Sequence, residues 1–187
     1  MVWTGLQVDI AKLEKDKFKK QYADDWVSLM TPIIKSFATD VGCEATNLAV
    51  QIYGGHGYIK DHGIEQLVRD VRITPIYEGT NGIQALDLVG RKMPMHTGRL
   101  LKSFFHLVKD YIEKNSFNYN LSEFMPSLTK SFLRLQKVTA FIASEGLSDP
   151  DEAAGPATDY LRMFALVAIG YVWTRYAEIS FNKLKDD

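Results

Sequence analysis

Apolar residues recur at three- and four-residue steps through almost the whole chain. That spacing lines one face of an α-helix and leaves the other faces polar. Leu6, Ile10, Leu13 and Phe18 predict a first amphipathic helix. A second is predicted to begin near Asp24–Asp25, whose carboxylates suit a helix N-terminus, and to run to Ile52. Its stripe is Val27, Met30, Ile33, Ile34, Phe37, Val41, Ala45, Leu48 and Ile52. Pro32 either kinks this helix or marks its true start. Gly54-Gly55-His56-Gly57 stops it, because glycines so closely spaced favour backbone shapes that a helix does not use.

A short helix is predicted from Ile64 to Ile73, with Glu65 and Arg69 one turn apart and Pro75 ending it. Glu78-Gly79-Thr80-Asn81-Gly82 reads as a turn, and a further helix follows from Asn81 to Val89. Gly90, Pro94 and Gly98 mark a break that divides the chain into residues 1–95 and 96–187. Beyond it, Leu101, Phe104, Phe105, Val108 and Ile112 predict one helix. Leu121, Phe124, Leu128, Phe132, Leu135, Val138 and Ile142 predict another. Ser148-Asp149-Pro150-Asp151 and Gly155-Pro156 interrupt, and the last helix carries Leu161, Phe164, Ala168, Val172, Tyr176 and Ile179. No stretch alternates with period two for long enough to predict a strand. The predicted fold class is all-α, an antiparallel helical bundle with an appended helical subdomain.

Composition narrows the function classes. Lys and Arg total 22 against 23 for Asp and Glu, so no basic excess points to a nucleic-acid partner. The longest apolar run, Met163 to Trp173, is far shorter than the roughly 20 residues of a membrane span. It predicts a buried helix. The first residues lack a secretory pattern, and the single cysteine, Cys43, cannot form an intrachain disulfide. Both features fit a reducing compartment, and the expected location is cytoplasmic. Neither Cys43 nor the four histidines show metal-ligand spacing, so no metal site is expected. Cys43 reads as a packing residue and His56 as an exposed turn residue. The mixed charges of Lys12–Lys20 read as a solvated helix face. Trp3, Trp26 and Trp173 read as core or interface residues. Arg69-Asp70-Arg72 could bind phosphate, but Asp70 can neutralise a neighbouring Arg, which favours a structural role.

Two stretches carry more than packing: Gln51-Ile-Tyr-Gly-Gly-His-Gly-Tyr58, and Arg69-Asp-Val-Arg-Ile-Thr-Pro-Ile-Tyr-Glu-Gly-Thr-Asn-Gly-Ile-Gln84. The first could bring bare backbone N–H groups close to an anionic ligand. The second sets one carboxylate, Glu78, between an aromatic neighbour and a helix start. Burial there favours the neutral acid and the helix dipole favours the carboxylate, a balance that suits a general base. By themselves both features have commoner readings: a solvated N-terminal charge, and a helix C-cap.

Residues 43–92, and Ile-Tyr-Glu-Gly-Thr-Asn-Gly-Ile-Gln in particular, resemble the C-terminal domain of the acyl-CoA dehydrogenase family, with both motifs in the family's order and separation. The resemblance implies that Glu78 is the base that removes the α-proton of an acyl-CoA thioester, and that Gly79 contacts substrate through its backbone. It implies that Gln51, Gly54 and Gly55 meet FAD held mainly by a partner subunit, and that Thr80 touches flavin. Where this chain has Gly82, many members carry Glu or Gln, so only backbone could serve the cofactor there. The run from Gly82 to Met93, with the long helical stretch after it, resembles a larger bacterial subgroup with an extra C-terminal helical domain, which includes methylthiopropanoyl-CoA dehydrogenase.

The family also has a flavin-holding β-domain, and nothing in this sequence reads as one. The expectation is a C-terminal part of such an enzyme, inactive alone, that would act with an electron-transfer acceptor and form a homo-oligomer. The competing expectation is a free-standing helical module for oligomerisation or protein binding, without catalysis.

Overall fold

The computed structural model describes residues 1–186; Asp187, the last residue of the predicted second segment, lies outside them. Nine α-helices follow one another and no strand occurs among the described residues. They are α1 (Val2–Leu13), α2 (Lys17–Tyr53), α3 (Gly55–Tyr58), α4 (Ile64–Arg72), α5 (Asn81–Asp87), α6 (Met95–Asn115), α7 (Met125–Ser148), α8 (Pro150–Ala154) and α9 (Ala157–Asp186). The all-α class predicted from the periodicity is the class observed.

The spine is α2, whose 37 residues span about 55 Å at 1.5 Å per residue. It begins earlier than predicted. Glu14 and Asp16 end α1 and start α2 within three residues: the Glu14 carboxylate accepts from the N–H groups of Lys15 and Asp16, and Asp16 Oδ1 accepts from Phe18 N at 2.8 Å and Lys19 N at 3.1 Å. Those backbone donors hold the Glu14 carboxyl below its usual range. The Lys12–Lys20 run is therefore a chain break between two helices, not one helix face. Asp16→Ala should cost about 1 kcal/mol in a chemical melt, as loss of an N-cap does, while Lys17→Ala should cost nothing measurable.

Asp24–Asp25 lie inside α2, and Asp25 does the opposite of capping. Asp25 is 5% exposed, and its carboxylate takes a two-point hydrogen bond from Arg99, Nε at 2.7 Å and Nη2 at 2.9 Å, with Gln21 Nε2 at 3.0 Å. Arg99 can reach it because the backbone turns sharply just before. His96, Thr97 and Gly98 all have positive φ, and Leu88–Lys92 form a π-helical turn. The predicted break at Gly90–Gly98 is thus a bend that aims α6 back across α2. Pro32 is buried within α2, which continues through it.

One hydrophobic core draws on α2, the π-turn, α6, α7 and α9. Its centre is aromatic. Phe104 lies 4.6 Å from Phe164 and 6.2 Å from Trp26, and Trp26 stacks on Trp3 at 4.5 Å. Trp26 Nε1 donates to Thr4 Oγ at 3.1 Å, so α1 is pinned by Trp3 and Thr4 rather than by its predicted stripe. Leu6 and Leu13 face outward, Gln7 is the buried residue of α1, and Phe18 on α2 is 89% exposed.

Other helix faces also differ from the predicted stripes. α7 starts at Met125, with Leu121 and Phe124 in the turn before it. On α9, Tyr160, Phe164, Val167, Tyr171 and Thr174 point inward, whereas Tyr176 and Ile179 point out and Trp173 is 68% exposed. The run Met163–Trp173 is therefore buried on one side only. In the second half of α2, Val41, Leu48 and Ile52 are exposed, because only α3 to α5 pack there. No helix is long and apolar enough to cross a membrane, and no cluster of three metal-binding side chains occurs, both among the described residues.

Candidate functional site

The second half of α2 carries both candidate motifs, one at its end and one along its side. At the end, Gly54 closes the helix with φ of 59° and its N–H bonded to the Gln51 carbonyl at 3.2 Å. The chain then folds back through α3. Gly57 is the position that makes this possible: a Cβ there would lie 2.7 Å from the Val50 carbonyl oxygen and 2.8 Å from Tyr53 Cβ. Its place in the Gly-rich run was visible in the sequence, but the backbone approach that requires it was not. Gly55, by contrast, faces open space, as does Gly54. His56 and His62 are both exposed and meet edge to face, Nδ1 to Nε2 at 3.2 Å.

α4 then runs back along α2. Cys43 Sγ lies 3.8 Å from the Val71 carbonyl oxygen, and Gly42 lets the Val71 side chain approach α2. The expected Glu65–Arg69 and Asp70–arginine pairs do not form among the described residues. Asp70 instead accepts from Gln66 Nε2 at 2.7 Å, an uncharged partner one turn away.

Between α4 and α5 the chain makes the turn that holds Glu78. Pro75 is buried, and its carbonyl accepts from Asn81 N at 3.1 Å, which closes the loop at its base. Glu78 has φ of 53° and Gly79 φ of 82°, two left-handed residues in succession. For a residue with a Cβ that conformation costs roughly 1–2 kcal/mol, so the surroundings must impose it. Gly79 could not be replaced cheaply, since a residue with a Cβ is strained at φ of 82°, and Gln84 Nε2, 3.0 Å from where that Cβ would lie, would also have to shift. The carbonyls on either side are each held: Gln84 Nε2 donates to Glu78 O at 3.0 Å, and Lys35 Nζ donates to Gly79 O at 2.8 Å. Thr80 caps α5, its Oγ accepting from Ile83 N at 3.4 Å and keeping its O–H free to donate elsewhere.

Glu78 itself is exposed, as are Ile76 and Tyr77. The burial expected from its aromatic neighbour is absent. Its carboxylate makes no hydrogen bond or ion pair to any described residue, an arrangement that leaves it open to an outside proton donor. Gln51 is likewise exposed with a free amide among the described residues, and Gly82 is exposed next to Thr80. The cavities of the structure lie elsewhere. One of about 610 Å³ is apolar and lined by Val89, Met93, Leu101, Phe105, Ile142 and Ala153, with Glu78 outside it.

The predicted residues form two groups, not one. Glu78, Gly79, Thr80 and Gly82 sit against the Lys35–Asp40 stretch of α2. Gln51, Gly54 and Gly55 sit at its end; Gln51 lies eleven residues beyond Asp40 and sixteen beyond Lys35, hence about 16–24 Å away along the helix. Sequence reading missed Lys35, Asn81 and Gln84, which hold the turn. The one available signal was a lysine on the polar side of α2, where a solvated charge is the ordinary reading.

An all-α chain with this pair of motifs matches two consecutive family models. Residues 10–93 match the acyl-CoA dehydrogenase C-terminal domain, and residues 104–187 match an acetyl-CoA dehydrogenase C-terminal-like domain. The chain belongs to the acyl-CoA dehydrogenase family. It is 39% identical over 105 residues to 3-methylmercaptopropionyl-CoA dehydrogenase of Ruegeria pomeroyi, covering 56% of this chain and 18% of that protein. To a butyryl-CoA dehydrogenase of Syntrophomonas wolfei it is 27% identical over 146 residues, covering 78% of this chain and 22% of the relative. The chain thus spans about a fifth of the length of these curated relatives. Its fold is similar to that of Caenorhabditis elegans ACDH-11 solved in complex with C11-CoA, with a TM-score of 0.71 and 20% identity over 90% of this chain and 28% of that one.

Proposed function

We propose that the chain is the C-terminal helical part of a flavin-dependent acyl-CoA dehydrogenase, which forms a double bond between the α- and β-carbons of an acyl-CoA thioester. The observation that carries this reading is the exposed, unpartnered carboxylate of Glu78 held on a doubly left-handed turn. An acid kept in a strained backbone conformation and free of structural partners supports a role in chemistry rather than in stability. Glu78 would accept the α-proton as the C–H bond breaks, and the Gly79 N–H would face the thioester carbonyl. Bound FAD would supply the hydride acceptor for the β-carbon. Substrate and flavin would have to exclude water from this open carboxylate, because proton abstraction next to a carbonyl needs a dry site.

Thr80 and Gly82 would meet the flavin beside Glu78. Gln51, Gly54 and Gly55 fit a cofactor too, since the turn leaves open space beside two glycines and an unengaged amide. The separation of the groups along α2, about 16–24 Å, supports their serving two different flavins, one through a partner subunit. The exposed Val41, Leu48 and Ile52 on α2 support the same homo-oligomeric reading. An electron-transfer acceptor would reoxidise the flavin.

The test is a comparison of this chain alone with the holoenzyme that contains it. The chain alone should be colourless and should not reduce an artificial electron acceptor with any acyl-CoA. The holoenzyme should be yellow and bleach on adding substrate. A colourless holoenzyme, or one that leaves acyl-CoA thioesters of every chain length unchanged, would overturn the reading.

A further inference from the structure

We infer that Lys35 is a positioning residue for the Glu78 turn, acting with Asn81; the inference rests on the reading of Glu78 as the base. The ammonium group of Lys35 has two acceptors, the Gly79 carbonyl at 2.8 Å and Asn81 Oδ1 at 2.9 Å. Both belong to the turn, and no carboxylate lies within ion-pair distance of Lys35 among the described residues. A lysine engaged by a main-chain carbonyl and an amide, instead of an acid, makes a charge-assisted anchor at one point of the backbone.

Asn81 fastens the other end of that anchor to α2. Its Nδ2 donates to Asp40 Oδ1 at 2.7 Å, Thr39 Oγ at 3.0 Å and the Ser36 carbonyl at 3.2 Å. Thr39 in turn donates to the Lys35 carbonyl at 2.7 Å. Lys35, Thr39 and Asn81 are all partly buried, so water competes weakly for these bonds. On the opposite side Gln84 holds the Glu78 carbonyl. The carbonyls of Glu78 and Gly79 are therefore gripped from α5 and α2 respectively. A backbone that would otherwise leave the left-handed region at Glu78 is kept there by these two side chains. Lys35 fixes where the carboxylate starts from and where the Gly79 N–H points.

A misplacement of about 1 Å in a reacting group is enough to cost about 10²-fold in rate. In the holoenzyme, Lys35→Met should lower kcat by about that factor while the acyl-CoA KM stays within about threefold, the pattern of a contact felt in the transition state. The kinetic isotope effect with α-deuterated acyl-CoA should rise, because proton removal becomes slower. Lys35→Arg should recover part of the loss, and the Asn81 amide should exchange with solvent faster in Lys35→Met. A lysine with only a general structural role would instead lower flavin content and thermal stability and leave the isotope effect unchanged; that result overturns the inference.

If Lys35→Met does not fold, Asn81→Ala replaces it, and native turnover with a native isotope effect there also overturns the inference. The two readings fail separately. If Glu78→Gln keeps its turnover, the base assignment fails, while faster exchange at Asn81 in Lys35→Met still supports the clamp. If Glu78→Gln is inactive but Lys35→Met matches the native enzyme in exchange and kinetics, the clamp fails alone.

Discussion

Glu78→Gln in the holoenzyme should retain flavin and acyl-CoA and lose turnover by about 10²–10⁴-fold, the range of a missing general base. The expected selectivity follows from how the residue is held. The contacts that fix the turn reach main-chain carbonyls, Gln84 to Glu78 O and Lys35 to Gly79 O, and none involves the carboxylate. Glutamine has the same length and tolerates φ of 53° no worse than glutamate, so the backbone should not move. An exposed side chain without partners contributes little to stability, so the melt should shift by less than about 0.5 kcal/mol. Stopped-flow flavin reduction with a panel of acyl-CoA thioesters, beside a chemical melt, separates the two effects. Turnover within a few-fold of native would show that another group takes the proton.

The largest expected loss of stability is at Phe104. It is 1% exposed, lies against Phe164, Trp26 and Phe105, and stands where α2, α6 and α9 meet. Phe104→Ala should cost about 3–5 kcal/mol, combining lost burial with a cavity that three helices cannot jointly collapse. That is a large fraction of a typical domain's net stability. Phe117→Ala provides the control, since Phe117 is 99% exposed and should change little. A loss below about 1 kcal/mol at Phe104 would mean that the core is looser than this packing implies.

Helix existence was legible in the sequence because it depends on local spacing, and Gly54, Pro75 and Gly155-Pro156 end helices where their chemistry says they should, although Gly55 and Gly57 lie inside the short α3 rather than breaking a helix. The face that each helix buries was less legible. Leu6, Leu13, Ile52 and Tyr176 satisfy the period as well as Met30 or Phe164 do, and only the neighbouring helices decide between them. Asp25 shows the same limit for charge. A pair of acids reads as a helix start until an arginine 74 residues later is brought against one of them by three left-handed residues. At the candidate site, the turn at Glu78-Gly79 was legible through its glycine and the helix start after it. Lys35 and Asn81 were not, because their meeting depends on the path of α4 along α2.

The length of α2 between Lys35 and Gln51 is also an angular quantity. Each residue of an α-helix turns the chain by about 100° and advances it by 1.5 Å. Substitutions on the solvent side of this stretch change neither value. One inserted residue would swing the glycine turn by more than a quarter of a circle relative to the Glu78 turn. An insertion of about seven residues would nearly restore the direction but lengthen the reach by roughly 10 Å. On the proposed reading of the two turns, α2 therefore sets both the phase and the distance between them, and a change in its residue count should disturb the site more than a change of residue on its solvent side.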